Sequence, residues 1–300
     1  MNSLTLSMEN GYNIKVLSLC LRMSFRKWFL SPRIPVFFLF ILSFGFWTSG
    51  GVASLAAAMG EGVSPWLLPH YFANPLMMSL FGFLVTFLFN DAPFYDSHTG
   101  FVLIRSGRKN WILAQILYVI IASFLNALCW LLASLLPLIG KLQLTGDWGK
   151  VILSLANGQA DAVAAEQNIV LAIFPDIRIC TQHGGLQATL LSFLLLWFVA
   201  AFLGFVIFCL NYFLGNNWGV IFSGLLSFLA FFSTSYFVYF FFGAKLLYFS
   251  PVNWCSLYSL FCSGNEGAPS LFFVFLILSV GSGMMIKLLL SQFGKRDILL

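Results

Sequence analysis

The stretch from Gln187 to Gly243 reads QATLLSFLLLWFVAAFLGFVIFCLNYFLGNNWGVIFSGLLSFLAFFSTSYFVYFFFG and contains no Asp, Glu, Lys or Arg. It belongs to a charge-free run of 66 residues, from Ile179 to Ala244. A membrane-spanning helix needs about 20 apolar residues, so this run is too long for one span. The turn residues Gly215-Asn216-Asn217 divide it and predict two helices.

The composition of the whole chain agrees with this local pattern. Only 8% of the 300 residues are charged, 60% are apolar and 36 are Phe, whereas soluble domains have about 25% charged residues. These values exclude an ordinary water-soluble enzyme and a disordered chain, and six Cys are too few for a disulfide scaffold. The surface of this protein therefore requires a bilayer as a second solvent.

Further charge-free stretches predict an all-α, polytopic membrane protein with six transmembrane helices. The predicted spans lie near residues 34–57, 71–90, 111–139, 187–212, 218–243 and 269–288. The apolar runs do not alternate with period two, which argues against a transmembrane β-barrel. An even number of spans places both termini on the same side.

The distribution of Lys and Arg predicts the orientation. One side carries 11 of the 15 basic residues: Lys15, Arg22, Arg26, Lys27, Arg33, Arg105, Arg108, Lys109, Lys287, Lys295 and Arg296. By the positive-inside rule this side is cytoplasmic. We therefore expect a multi-pass protein of the cell membrane, with a single membrane domain over 34–290 and cytoplasmic segments at 1–33 and 291–300.

Part of the N-terminal segment is expected to lie in the membrane interface. Between Asn13 and Leu30, apolar residues recur at spacings of three and four: Ile14, Leu17, Leu21, Phe25 and Trp28. This spacing, with most basic residues on another face, is typical of an amphipathic interfacial helix. A disordered basic tail is the alternative. The apolar run from Ile34 is too long for the core of a signal peptide.

Two longer segments are predicted on the external side. The polar loop 141–178 is interpreted as a solvated loop in preference to a cap domain or gate, although residues 161–170 are Ala-rich and predict a short helix. Segment 244–268 is too apolar for a free loop and too broken for a span. It predicts a re-entrant hairpin with Pro251, Asn253 and Trp254 at an outer gate.

Motifs for catalysis and metal binding are absent from the sequence. There is no phosphate-binding GxxxxGK[ST] loop and no GxSxG elbow. His70, His98 and His183 lack zinc-site spacing, so we predict no metal site and interpret them as solvated loop residues. Cys20, Cys129 and Cys209 are predicted to be buried small hydrophobes. The pairing of the external Cys180, Cys255 and Cys262 is left open.

The spans contain no central charged residue. Ion-coupled transporters commonly keep such a residue within the membrane, so a transport role would draw its energy from another subunit. The fifth predicted span is aromatic, and Ser233, Thr234, Tyr236 and Tyr239 are candidates for a cargo path. The alternative is that its aromatic residues face lipid and its hydroxyls bond within the helix bundle.

Segment 91–110, between the second and third predicted spans, is the most informative one. It begins DAPF, continues through a short apolar run and ends IRSGRK before Asn110 and Trp111. This pattern predicts either a simple positive-inside clamp or a short cytoplasmic helix that docks on a partner.

With these features the chain resembles ABC-2 type permease subunits of ABC transporters, including small Firmicute permeases linked to peptide export or immunity. The resemblance rests on the interfacial N-terminal helix, six spans, the DxPF and IRSGRKNWILAQILY stretches and SPVNW before the last span. In that family the loop between helices two and three seats a coupling helix in the ATPase subunit. The matching positions here are Asp91, Pro93, Phe94, Arg105, Arg108, Lys109 and Trp111.

The resemblance implies a non-enzymatic transport subunit that exports cargo. Two ATPase subunits would hold the ATP and Mg²⁺, a second permease copy would complete the assembly, and no cofactor or nucleic acid would bind this chain. An amphipathic peptide, such as a toxin or antimicrobial peptide, is the first expectation for the cargo; drugs and lipids are alternatives. A stand-alone immunity or sensory protein is the rival function, and an intramembrane enzyme is a weaker one.

Overall fold

The protein is described by a computed structural model that covers residues 13–94, 99–215, 217–233, 243–262 and 267–292. Within these ranges the chain is helical, and Val63 and Leu142 form one isolated bridge without a β-strand. The α-helices are α1 (Ile14–Leu30), α2 (Arg33–Met59), α3 (Leu68–Tyr71), α4 (Pro75–Phe89), α5 (Thr99–Ser106), α6 (Arg108–Leu135), α7 (Gly149–Ala156), α8 (Asp161–Glu166), α9 (Ile177–Gln182), α10 (Gly185–Leu214), α11 (Trp218–Ser233) and α12 (Leu271–Gln292).

Six of the described helices are apolar and coincide with the predicted spans. Helices α2, α6, α10 and α12 are long enough to cross a membrane. Helix α4 has only 15 residues, and at about 1.5 Å per residue it falls short of a hydrocarbon core of about 30 Å. The described part of α11 has 16 residues. The all-α, multi-pass class is therefore confirmed with four candidate spans and two shorter apolar helices. The predicted end of the fifth span, 234–243, lies largely outside the described residues.

The second span, predicted near residues 71–90, begins at Pro75 in the structure, and the reason for this difference is local. The Asn74 side chain accepts a hydrogen bond from the Leu76 amide at 2.9 Å, and Pro75 occupies the first helical position of α4. An Asn cap followed by Pro is a strong helix start. The preceding apolar residues form the separate, buried helix α3.

Helices α6 and α10 form the centre of the bundle. Helix α6 packs against α1, α2 and α10, and α10 also packs against α4, α11 and α12. The two shorter helices, α4 and α11, are in close contact: the hydroxyls of Thr86 and Ser223 are 2.7 Å apart, and Gly82 leaves room for Ser227. Small residues allow such close approach of helices in a membrane.

Helix α1 confirms the predicted helix between Asn13 and Leu30, so the disordered-tail alternative is wrong for this part of the chain. The Asn13 side chain caps the helix by accepting hydrogen bonds from two amides of its first turn. One face of α1 packs on α6, where the Trp28 indole donates a 2.6 Å hydrogen bond to the Tyr118 hydroxyl. Apolar side chains also remain exposed on α1: Ile14, Leu19, Met23 and Leu30.

Residues 60–74 and 139–184 form a packed cap at the end of the bundle opposite α1. Trp148, Val151 and Ile152 are buried, and Glu61 and Lys150 form an ion pair of 2.7 Å. The interpretation of 141–178 as a solvated loop is therefore wrong. The segment is folded because its apolar residues pack against the end of α2, and its Ala-rich part forms α8 as predicted.

The segment that precedes α12 is irregular and buried. It contains 3₁₀ turns at Gly243–Phe249 and Pro251–Cys255 and a π-type turn at Tyr258–Cys262. All five residues of the middle turn are buried, and this turn packs against α4, α10 and α11. The segment is thus neither a free loop nor a regular helix, as the sequence predicted.

Candidate functional site

The predicted coupling residues fall into two groups at the α1 end of the bundle. Arg105, Arg108 and Lys109 are exposed at the junction of α5 and α6. Phe94 and Trp111 are buried in the bundle. Asp91 and Pro93 belong to a turn that borders a cavity.

The junction of α5 and α6 carries exposed side chains, which we call the α5 face: Phe101, Ile104 and Arg105 of α5, and Arg108 and Lys109 at the start of α6. Phe101 and Ile104 are 70% and 73% exposed. Thr99 and Leu103 on the same helix are buried, and α5 packs against α1 and α6. Three cations beside two large apolar side chains form a surface suited to an acidic, partly apolar partner.

The connection from α5 to α6 is short and tightly bonded. Gly107 has φ of 76°, which glycine adopts without strain, and α6 begins at the next residue. The Asn110 side chain donates to the Ser106 carbonyl at 2.9 Å, and its Oδ1 accepts from the Asn13 amide at 3.1 Å. A displacement of α5 would therefore act on both α6 and the start of α1.

The turn at residues 90–94 is held from three directions. Arg33 at the start of α2 contacts Asp91 at 2.6 Å. The Lys27 ammonium donates to the Phe94 carbonyl at 3.2 Å, and the Asn211 side chain donates to the Ala92 carbonyl at 2.7 Å. Three helices, α1, α2 and α10, thus fix this turn.

A cavity of about 640 Å³ lies between α1 and the 90–94 turn, and we call it the α1 cavity. Its charged lining residues are Lys27, Arg33 and Asp91. Trp28 and Tyr118 contribute aromatic walls. The volume lies within the range of about 300–1,000 Å³ typical of small-molecule sites.

The candidates for a cargo path and an outer gate lie in and beside the irregular segment. Ser233 is buried and accepts a hydrogen bond from the Asn253 side chain, and the Trp254 indole donates to the Leu247 carbonyl at 2.7 Å. Pro251 is buried as well. Thr234, Tyr236 and Tyr239 lie outside the described residues. The structure therefore brings Ser233 and Asn253 together.

The two histidines of the cap, His70 and His183, were predicted to be solvated, but the structure shows them buried or half-buried. His70 is only 1% exposed: its ring packs on Trp148 at 5.0 Å, and its Nε2 lies 4.0 Å from the Cys180 thiol. His183 is half-buried against the Phe261 ring. His98 lies outside the described residues. Burial is responsible for a lowered pKa at His70, to about 4, and a raised pKa at Cys180, to about 12.

We expect the cap to lose stability as the pH falls from 7.5 to 5. His70 has a folded-state pKa of about 4, whereas an unfolded His titrates near about 6.5. The contribution of His70 to the free energy of unfolding is therefore complete above the unfolded pKa. It declines as the pH falls and the unfolded chain takes up a proton, and the loss reaches about 2 kcal/mol at pH 5. Thermal unfolding of the native protein and of His70→Phe across this range measures the effect. An equally steep pH dependence in the variant would contradict it.

Cysteines occur as free thiols where their side chains are described. Cys20 and Cys209 are buried as predicted, Cys129 is half-buried, and Cys180 and Cys255 are unbridged. The part of the chain that the structure describes contains no cluster of His, Cys, Asp and Glu able to hold a metal ion.

Sequence reasoning missed several residues that shape the site. Asn211 follows a long apolar run, and nothing in the local pattern indicates that its side chain reaches the 90–94 turn 119 positions away. The sequence pattern indicates only the positive charge of Lys27 and not its contact with the 90–94 turn.

Comparison with protein-family models, with curated protein sequences and with solved structures finds no match.

Proposed function

We propose that this chain is the permease subunit of an ATP-driven exporter, energised by a separate ABC-type ATPase that docks on the α5 face. The observation that supports this most directly is the exposure of Phe101 and Ile104 beside Arg105, Arg108 and Lys109. This face is formed by the short helix α5 and the first residues of α6, at the position that couples to the ATPase in the family that the sequence resembles.

The charge distribution supports a cytoplasmic location for the α5 face. The described basic residues of one end lie on α1, at Arg33, on the α5 face and at Lys287 of α12, and Asp91 is the sole acidic residue described at that end. The cap at the other end contains five acidic residues: Glu61, Asp147, Asp161, Glu166 and Asp176. By the positive-inside rule the α1 end is cytoplasmic and the cap is external.

The contacts of α5 support a mechanical role in transport. Closure of the ATPase dimer would displace α5, and the Asn110 bonds would pass this displacement to α6 and α1. Helix α6 packs on α10 at the centre of the bundle, so the movement would reach the helices around the irregular segment. That segment would act as a re-entrant outer gate, and a second permease copy would complete the translocation path.

An amphipathic peptide is the proposed cargo class. The exposed faces of α11 and α12 are rich in apolar and aromatic side chains, including Phe228 and Phe272. Such faces accept varied apolar surfaces, and the acidic residues of the cap would attract a cationic product as it leaves.

The decisive experiment is co-expression of the tagged chain with each candidate ABC ATPase of its genome. We expect one ATPase to co-purify and its hydrolysis rate to rise on binding. Replacing Arg105, Arg108 and Lys109 by Glu should reduce co-purification at least tenfold, because the net charge of the docking face changes by six units.

A matched control reverses three exposed basic residues of α1, as Lys15→Glu, Arg22→Glu and Arg26→Glu. This variant carries the same net charge as the α5 variant but leaves the α5 face intact. It should retain the ATPase to within twofold. Equal loss in both variants, or full retention in both, would show that the α5 face is not the docking site. A native chain that binds and stimulates no ATPase would contradict the exporter function itself and favour a stand-alone membrane protein.

A further inference from the structure

We propose that the α1 cavity is a binding site for the phosphate headgroup of an anionic phospholipid from the adjacent leaflet. The cavity combines cationic donors, aromatic walls and an apolar side at the end of the bundle where the amphipathic helix α1 lies. Nothing in this inference depends on an ATPase partner or on transport.

The charged lining residues favour an anion. Among the described residues that line the cavity, Lys27 and Arg33 are basic and Asp91 is acidic, so these three side chains sum to a formal charge of +1. Arg33 binds Asp91 and Asn90 through Nη1 alone. A guanidinium has five N–H donors, so those on Nε and Nη2 remain to meet a phosphate oxygen.

Neutral polar groups surround the same space. Asn211, Asn217, Ser24 and Ser31 line the cavity. A glycerol or similar polar headgroup needs such hydrogen-bonding partners beside its phosphate. The volume of about 640 Å³ accommodates a headgroup and the start of its acyl chains.

The location of the cavity favours a lipid over a soluble anion. Ile14, Leu19, Met23 and Leu30 are between 48% and 82% exposed on α1, which is tolerated when the helix lies in the membrane interface. Trp28 and Tyr118 form part of the wall, and such amphipathic aromatic side chains prefer the headgroup level.

An apolar path for acyl chains leads away from the cavity along α4. Phe87 lines the cavity and is 38% exposed, and Phe83 is exposed one turn earlier on the same helix face. If the lipid phosphate lies between Lys27 and Arg33, its acyl chains would therefore contact the exposed apolar side chains of Phe87 and Phe83.

The test uses the full chain alone, purified in detergent, and native mass spectrometry with added dioleoylphosphatidylglycerol or dioleoylphosphatidylcholine. We expect the native protein to retain phosphatidylglycerol in preference to phosphatidylcholine. Lys27→Gln keeps a side-chain N–H for the Phe94 carbonyl but removes the charge. It should weaken phosphatidylglycerol retention about fivefold, the equivalent of about 1 kcal/mol for one basic residue at an anionic surface.

The matched control is Arg26→Gln, which removes one exposed charge from the neighbouring position of α1 outside the cavity lining. It should retain phosphatidylglycerol as the native protein does, and Lys27→Arg should restore retention. Equal losses of phosphatidylglycerol retention in Lys27→Gln and Arg26→Gln would show that retention depends on general surface charge, and would overturn the proposed site. Thermal protection by inorganic phosphate alone, equal to that by phosphatidylglycerol, would assign the cavity to a soluble anion and overturn the lipid assignment.

Discussion

Gly45→Leu is expected to prevent stable folding, with a loss of about 4 kcal/mol or more in the free energy of unfolding. Gly45 lies where α2 crosses α6, and a Cβ atom at this position would be 2.4 Å from the Ala133 carbonyl oxygen and 2.8 Å from its carbon. These are backbone atoms of a central helix, so no side-chain rotation relieves the clash. The two helices would have to separate.

The control for this prediction is in the same helix. A Cβ at Gly50 meets no atom within 4 Å, so Gly50→Leu makes the same change in composition without the clash. Fluorescence-detected size exclusion and thermal unfolding in detergent compare the two variants. Gly45→Ala should show an intermediate loss of about 2 kcal/mol. The crossing of α2 and α6 would be wrong if Gly45→Leu unfolded at the same temperature as Gly50→Leu.

Hydrophobicity and charge alone predicted the apolar helices of this protein. Helices α6 and α10 were placed within a few residues because their polar flanks are distinct: Arg108 and Lys109 precede the core of α6, and Gly215 ends α10. The boundary before α4 was missed because α3 is as apolar as the helix that follows. Only the Asn74-Pro75 pair marks the start of α4.

The cap could not be predicted because the contacts that stabilise it are distant in sequence. The Trp148 indole donates to the His183 carbonyl at 2.8 Å, and the Lys150 ammonium reaches Glu61. Locally, residues 141–178 are polar enough for a solvated loop. The few apolar residues of this segment become buried only because residues 60–74 pack against them.

At the candidate site, the sequence predicted the short helix but not which of the neighbouring side chains are buried. A Pro turn, a short apolar run and a basic end predicted the short helix that the structure shows as α5. Whether each residue points outward depends on helix packing. Phe94 contacts the Tyr118 ring at 4.8 Å, and Trp111 is buried in the bundle, although both were predicted beside exposed Arg105 in one docking group.

Asn211→Leu is expected to destabilise the protein by about 4 kcal/mol. The Asn211 side chain is buried, donates to the Ala92 carbonyl at 2.7 Å and accepts from the Gly219 amide at 2.7 Å. Gly219 lies in the first turn of α11, where amides have no partner within the helix. Leucine has a similar volume but leaves both backbone groups unpaired, and each buried unpaired group costs about 1–3 kcal/mol.

The readout is hydrogen–deuterium exchange of the purified protein together with its thermal unfolding. In Asn211→Leu the first turn of α11 should exchange at least tenfold faster, whereas α2 should be unchanged. The control is Asn157→Leu, which makes the same substitution at an exposed position after α7. Because the 90–94 turn lines the α1 cavity and leads towards α5, loosening it should also weaken the retention of phosphatidylglycerol. Unchanged exchange at α11 would show that Asn211 does not connect these elements.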